Sequence, residues 1–542
     1  ANANRDLVFT SDGTAGVKTG EYRFKGAGDS FSDWTPIRIE AIARPSGTLF
    51  DVEAQAGSDT AKIQAAIDAA NSAGGGVVYS SLGHSEQYVL TAELRWRHPR
   101  VSFFDLNLKR RSPTYNGGPA ASGSSYTGMH GRFVRMLTTA LDQSAWTGGG
   151  TPTARVINCL FDSNGFDQPI CNYSGAGGTP SGIPGNLDSG GYGWPGEPPG
   201  LDGFNMQQQH CIAISNNAGT PGPTSEFKLC SFIHACGDGV SFNHDCNGTM
   251  EYCFSAANQR GFFVVTGRGG NYTIRRCYDT DESQRSDRPF LTPGSTWDTK
   301  RYVAGGIDIE PENQGQPYSI TVEKCFIASD IDNRTAGNTA SVMAMTDVTS
   351  RRPMTPQIQW SQAIGEITRY TNCTLHCHKE GANRSGILSV SGTGTSPRGR
   401  STGGRQIYNN CDWYMGCDDQ LFSQHGFRER ILNNSECGWV FRRDAGAQAF
   451  QIEYINNRFH RLVPAGINLG PLYAFWAISN MNTDNGLIIL SGHITFDSGF
   501  VQFPFLGNGG TIRILPGTTF AHAGFPGAAT FWSNFNTVQD QR

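Results

Sequence analysis

The chain has 542 residues, a net charge of -4 and only 17% charged residues. That balance excludes a general nucleic-acid binder, which needs a basic excess, and a disordered, solvating chain. Gly (68) and Pro (26) together make 94 of 542 residues, about 17%, which calls for many short elements joined by turns. No run approaches ~18 apolar residues, so nothing is predicted to insert in a membrane. The first residues, Ala1 to Asp6, are polar and show no apolar signal-peptide core. Of the basic residues 8 are Lys and 35 Arg. A GC-rich genome accounts for this bias, and Arg forks that bind carboxylated or phosphorylated substrates are the functional alternative.

In chain order, residues 1–45 read as a polar N-terminal arm or adaptor. Asp59-Thr-Ala-Lys-Ile-Gln-Ala-Ala-Ile-Asp-Ala-Ala70 predicts a helix, with Ser58 or Asp59 as its N-cap and Ile63, Ala66, Ile67 and Ala70 on one apolar face. Gly74-Gly-Gly76 ends it, and Val77-Val-Tyr79 starts a strand. From there to about residue 460 the cysteines mark a repeat. Cys230, Cys253 and Cys277 lie 23 and 24 residues apart, Cys277 to Cys325 and Cys325 to Cys373 are 48 each, and Cys411 precedes Ser435 by 24. The flanking segments align, among them Val156-Ile-Asn-Cys-Leu-Phe161, Phe227-Lys-Leu-Cys-Ser-Phe232 and Val322-Glu-Lys-Cys-Phe-Ile327. Further copies are Ile431-Leu-Asn-Asn-Ser435 and Ile452-Glu-Tyr-Ile-Asn-Asn457.

A second series of short strands opens on glycine, at Gly239, Gly261, Gly306, Gly386 and Gly438. Two or three short strands per 22–24 residues without helical periodicity predict an all-β solenoid, a single-stranded parallel β-helix. Stacking ~4.8 Å apart buries the inward faces and piles like on like, so the 14 Cys read as small buried hydrophobes and not as a disulfide framework. Free thiols favour folding in a reducing cytoplasm. In the cluster Cys373, His376, Cys377 and His378 the two Cys face one way and the two His the other, against a zinc site. No metal or cofactor is expected.

The helix and the Gly74-Gly-Gly-Val-Val-Tyr79 segment that follows resemble the opening of the right-handed parallel β-helix in pectin-lyase-like proteins, above all bacteriophage tailspikes that degrade bacterial surface polysaccharides. The repeat extends the resemblance over residues 50–460. It implies a capping role for the helix, a polysaccharide depolymerase on the phage tail made in the host cytoplasm, a homotrimer, and capsule or O-antigen as partner. The expected domains are 1–45, a β-helix at 46–460 with insertions at 171–200, 279–304 and 391–405, and an end-capping or oligomerisation region at 461–542.

Aligning the glycine-led strands and alternating the side chains places Val240, Phe242, Phe262, Val264, Ile307 and Ile309 inward. Ser241, Asn243, Phe263, Val265, Asp308 and Glu310 then face outward. Asp308 and Glu310, ~6.5–7 Å apart on one strand face, match the lower end of the carboxylate spacing of inverting glycosidases. They are the expected catalytic pair, with Glu310 leaning to the acid and Asp308 to the base. Glu312 lies just beyond them, Phe263 is a neighbouring aromatic platform, Asn243 belongs to the same face, and Trp297, like Trp194, is a candidate for binding sugar faces. A second catalytic candidate is Asp238 with Asp202, whose Asp-Gly settings loosely resemble the acidic motifs of polygalacturonases; the Gly-His-Gly and Arg-x-Lys elements of that family are missing. A lyase is the alternative chemistry, with Arg260, Arg268, Arg285 and His244 as base and carboxylate partners. A non-cleaving glycan receptor is the third.

Overall fold

The computed structural model describes residues 44–91, 100–110, 153–163, 224–233, 246–256, 270–279, 318–327, 342–350, 367–377, 405–415, 450–461, 486–496, 511–522 and 537–542, and shorter strands between and before them. The insertions expected at 171–200 and 391–405 lie outside the described residues, as does 280–304. The chain forms two compact units, Ala1–Thr266 with Gly270–Val303, and Gly267–Gly269 with Ala304–Arg542. Each is a right-handed parallel β-helix with three parallel sheets.

One coil of the first unit shows the path. Thr224–Lys228 lies in the first sheet, Ser231–Ile233 in the second and Asp238–Asn243 in the third, and Asn247–Glu251 returns to the first sheet beside Thr224–Lys228. In the second unit Tyr318–Glu323, Phe326–Ile327, Ile331–Arg334 and Val342–Thr346 trace the same path. Strands Gly486–Ser491, His493–Phe496 and Phe505–Gly509 continue these sheets past residue 460. Three antiparallel strands, Asp6–Phe9, Gly20–Phe24 and Trp34–Ile39, form a separate small sheet within residues 1–45.

The helix spans Asp59–Ser72 and buries Ile63, Ala66, Ile67 and Ala70 against the first strands. Ser58 occupies the N-cap position without a side-chain capping bond. Asp59 instead accepts the Val89 N–H (2.8 Å), and Thr60 Oγ1 accepts that of Thr91 (2.8 Å). The helix start therefore satisfies the backbone of the strand Gln87–Leu90. Gly76 is required where the chain leaves the helix: its φ is +147°, and a Cβ there would collide with the Phe50 ring and the Thr48 carbonyl.

The corner between the first and second sheets sets the repeat. One residue per coil adopts a left-handed conformation: Asp105, Asn158, Leu229, Tyr252 and Arg276 in the first unit, and Lys324, Asp347, Asn372, Asn410 and Asn456 in the second. Asn and Asp tolerate this conformation, whereas for other side chains it costs ~1–2 kcal/mol. Nine of these ten corners, all but Arg276, are shown donating their backbone N–H to the next coil, as Leu229 N does to Glu251 O (3.1 Å) and Asn372 N to Asn409 O (3.0 Å). The ladder thus passes through the corner unbroken.

The next residue in each coil explains the cysteines. The Cys411 thiol donates to the carbonyl two residues back, Asn409 (3.5 Å), and to Tyr370 on the preceding coil (3.6 Å). Cys230 does the same with Lys228 and Val156, and Cys373 with Thr371 and Met345. Among the described residues nine cysteines are free and buried. The column after Cys411 continues at Asn457, whose amide donates to Ile455 (3.0 Å) and Tyr408 (2.8 Å), the same pair of acceptors one coil on. Ser435 is therefore not the next rung, and Ile431–Ser435 lies outside the described residues. Between Cys325 and Cys373 the spacing of 48 is two coils, with Val348 between them, as the corners at 324, 347 and 372 show.

In-register stacking also orders the core. Tyr370, Tyr408 and Tyr454 share one register position and stack at 4.7 and 5.5 Å. Trp413, Phe459 and Phe496 form a second pile at 6.0 and 5.2 Å, edge-on to the tyrosines through Tyr408–Trp413 (4.6 Å). Trp413 Nε1 donates to Asn457 Oδ1 (2.9 Å). Asn457→Ala removes the donor to two buried carbonyls and the acceptor of the Trp413 indole, so it should destabilise the second unit by about 3 kcal/mol. Asn457→Cys, which restores the carbonyl bonds alone, should fall midway in urea denaturation; equal midpoints for the two variants would contradict this account of the column.

Candidate functional site

The strand Ile307–Glu310 lies in the third sheet of the second unit beside Ile331–Arg334. Ile307 is fully buried, as alternation predicts. The backbones of Asp308 and Glu310 are strand; their side chains lie outside the described residues. The parallel register pairs Ile307 with Ile331, Asp308 with Asp332 and Ile309 with Asn333. Asp308 therefore shares its level with a second aspartate on the neighbouring strand, ~4.8 Å away along the hydrogen-bonding direction. Continuing one step sets Glu310 level with Arg334. Asp332 was not among the sequence candidates. Its signal was present: Ile307-Asp308 and Ile331-Asp332 are the same dipeptide 24 residues apart, one coil period.

The aromatic platform is corrected by the structure. Phe263 is fully buried, and its ring lies 5.4 Å from that of Phe242 and 5.7 Å from that of Tyr272. The register pairs Gly261 with Asp238 and Phe263 with Val240. Aligning Gly261 with Gly239 slipped this strand by one residue, and a one-residue slip exchanges the two faces of a strand. Phe263 is core and not an outward-facing platform. Ser241, on the opposite face from Val240 and Phe242, is also buried (1% exposed).

Asp238 and Asn243 lie in the strand Asp238–Asn243, beside Gly261 and Thr266, in the first unit. Their side chains lie outside the described residues, as do Glu312, Arg268, Arg285 and Trp297 in full. Asp202, Trp194, His244 and Arg260 also lie outside them. Among the described residues no three His, Cys, Asp or Glu side chains gather as metal ligands. Cys373 is buried in its column with its thiol on Thr371 and Met345.

A charged cluster the sequence did not single out sits on the second sheet of the second unit. Arg458 grips Asp412 with both arms of its guanidinium, Nε to Oδ1 and Nη2 to Oδ2, each 2.6 Å, and its Nη1 donates to Asn410 Oδ1 (2.9 Å). His460 Nε2 stands 3.0 Å from Asp412 Oδ1. The parallel register places Arg458 one coil above Asp412. Burial by itself would raise the Asp412 pKa; the hydrogen bonds and charges of Arg458 and His460 outweigh it and bring the group down to about 2. The fork fixes two neighbouring coils at an otherwise solvated face.

No family model matches the chain, and no curated protein matches it. Several solved structures are similar to it. The tailspike protein of E. coli bacteriophage HK620, as a double mutant, is 10% identical over 89% of this chain and 74% of its own, with a TM-score of 0.36. The A-module of the mannuronan C-5 epimerase AlgE6 of Azotobacter vinelandii is 13% identical over 91% and 99%, with a TM-score of 0.29. The tailspike gp49 of Acinetobacter baumannii bacteriophage Fri1, a capsular polysaccharide depolymerase, is 11% identical over 100% and 74%, with a TM-score of 0.29.

The Asp412 cluster has a pH signature. Its folded pKa lies below the ordinary 3.8, so its stabilisation is present above about pH 4 and is lost as the pH falls through about 2. Asp412→Asn should lower stability at pH 7 by about 1–2 kcal/mol and flatten the acid limb between pH 4 and 2. An unchanged acid limb would show that the fork carries no such linkage.

Proposed function

We propose that the chain is a polysaccharide-degrading enzyme that hydrolyses a bacterial surface glycan at the third sheet of its second unit. The observation that carries this reading is the shared level of Asp308 and Asp332, with Glu310 two residues along the same strand. Alternation sets all three on the face opposite the buried Ile307. Catalysis of glycosidic cleavage needs one carboxyl that donates a proton to the leaving oxygen and one carboxylate that activates water. Neighbouring charges assign these roles. We assign the acid's role to Asp308, which has an aspartate level with it on the next strand and a glutamate two residues along its own. The same register carried one step further would set Glu310 level with Arg334, a neighbour that suits a base.

Asp308 is then the general acid and Glu310 the base, ~6.5–7 Å apart, a separation that leaves room for water and inverts the anomeric centre. In this reading Asp308 and Glu310 exchange the roles expected from the sequence alone. Asp332 acts through Asp308, as a positioning residue that sustains its proton. Location on a phage tail and assembly as a homotrimer belong to the same proposal and are supported by the resemblance of the helix and the strand that follows it.

The test is release of oligosaccharide from a panel of capsules and O-antigens, followed by anomer analysis of the products. Asp308→Asn and Glu310→Gln should each lower kcat by about 10²–10⁴-fold. Asp332→Asn should retain activity, with the alkaline limb of its pH profile moved to lower pH, because the acid loses a like-charged neighbour. A double Asp308→Asn, Glu310→Gln variant that cuts as well as wild type would refute the assignment, and products carrying a ring double bond would replace hydrolysis by elimination.

A further inference from the structure

The acids stand at one end of a longer column. The register of the third sheet in the second unit continues from Asp332 to Gln359, since Asn333 pairs with Trp360. It then runs from Gln359 to Ser389, from Ser389 to Arg442 and from Arg442 to Ser479. Asp308, Asp332, Gln359, Ser389, Arg442 and Ser479 thus occupy one level of six successive strands, all polar. The level one residue earlier holds Ile307, Ile331, Ile358, Leu388, Phe441 and Ile478, all apolar, and Ile307 is fully buried. In the second unit the register thus separates an apolar level from a polar one, the two lying on opposite faces of the sheet. In the first unit the matching outer level reads Arg95, Arg135, Ala213, Ser241 and Val264, with no carboxylate.

A polar column along a parallel β-helix is a linear array with one position per ~4.8 Å. That rise is close to the advance of one pyranose unit in an extended glycan chain, so each coil meets about one sugar. Gln359 and Ser389 offer neutral hydrogen-bonding groups suited to hydroxyls. Arg442 is the cation of this column, three strands beyond Asp332, roughly 14 Å from it. A guanidinium there suits a bidentate partner, and in a glycan that partner is a carboxylate. Asp308, Asp332 and Glu310 would repel an acidic sugar at the cleavage point, so the charged unit belongs at the far end of the column.

We infer that the substrate is an acidic polysaccharide, laid along this column with a neutral sugar at the acids and a uronic- or sialic-type carboxylate at Arg442, about three units away. The inference rests on the hydrolase reading above and adds the substrate class and a residue that selects it. Arg442 is a binding residue and takes no part in bond cleavage.

The experiment is an array of bacterial surface polysaccharides, each printed in its native form and after chemical reduction of its carboxyl groups. It is probed with the full chain carrying Asp308→Asn and Glu310→Gln, so that binding is read without cleavage. The expected result is a signal on a carboxylated glycan that falls at least tenfold on carboxyl reduction. Arg442→Gln should lower the native signal to the same degree and leave the reduced one unchanged, with Arg442→Lys between and all variants melting together. With the catalytic acids intact, Arg442→Gln should raise KM and spare kcat. A strongest signal on a neutral glycan that wild type cleaves would overturn the inference and leave the hydrolase reading standing. Binding to no glycan of either form would overturn both.

Discussion

In this chain each residue is set by the one directly above or below it. Parallel in-register pairing places position upon position at a fixed strand spacing, so a side chain that packs well in one coil is packed against its own kind in the next. The Tyr370, Tyr408 and Tyr454 pile is the clearest product, and Trp413, Phe459 and Phe496 repeat it on the adjoining sheet. A constraint of that kind is strict about register. It is tolerant of what lies between strands, which is why the corners at Asn372, Asn410 and Asn456 can be 38 and 46 residues apart while their coils still stack.

Stacking alone would leave carbonyls unpaired where the chain turns between sheets. The left-handed residue keeps the backbone ladder running, and where the following residue is Cys230, Cys253, Cys373, Cys411 or Asn457 its side chain supplies a small buried donor aimed at two carbonyls. Cysteine and asparagine meet that need with different atoms, which is why both occupy one column. The described column thiols are structural donors. The same repetition produces a row of polar positions on the third sheet of the second unit, and the proposed chemistry lies where that row begins with acids.

Much of this was legible in the sequence, and the failures share one physical cause. The helix at 59–72 and its buried face follow from apolar spacing alone. The solenoid follows from the cysteine period, because the column that generates the period is the corner that builds the fold. Phe263 was misplaced because glycine was used as a register mark. Glycine opens these strands at variable positions, while the corner does not vary. Cys230 to Cys253 is an offset of 23, and the same offset carries Val240 to Phe263, the observed pair. Asp332 was hidden for a related reason: its strand does not open on glycine, though it repeats the Ile-Asp pair one period after Asp308. The Asp412, Arg458 and His460 cluster joins residues 46 and 48 apart, about twice the 22–24-residue period, so no fixed period points to it.

The central claim is that Asp308 and Asp332 share one level on adjacent strands. It can be read directly by replacing both with cysteine and treating the folded protein with dibromobimane, which fluoresces only when it bridges two nearby thiols. The described native cysteines are buried in their columns and should stay silent. Strand neighbours at ~4.8 Å lie within reach of the reagent, so the 308/332 pair should be bridged, while a 308/333 pair, on opposite faces of the sheet, should not. Bridging of 308/333 in preference to 308/332 would mean that the strands pair in another register, and the proposed acid, base and substrate column would all be lost with it.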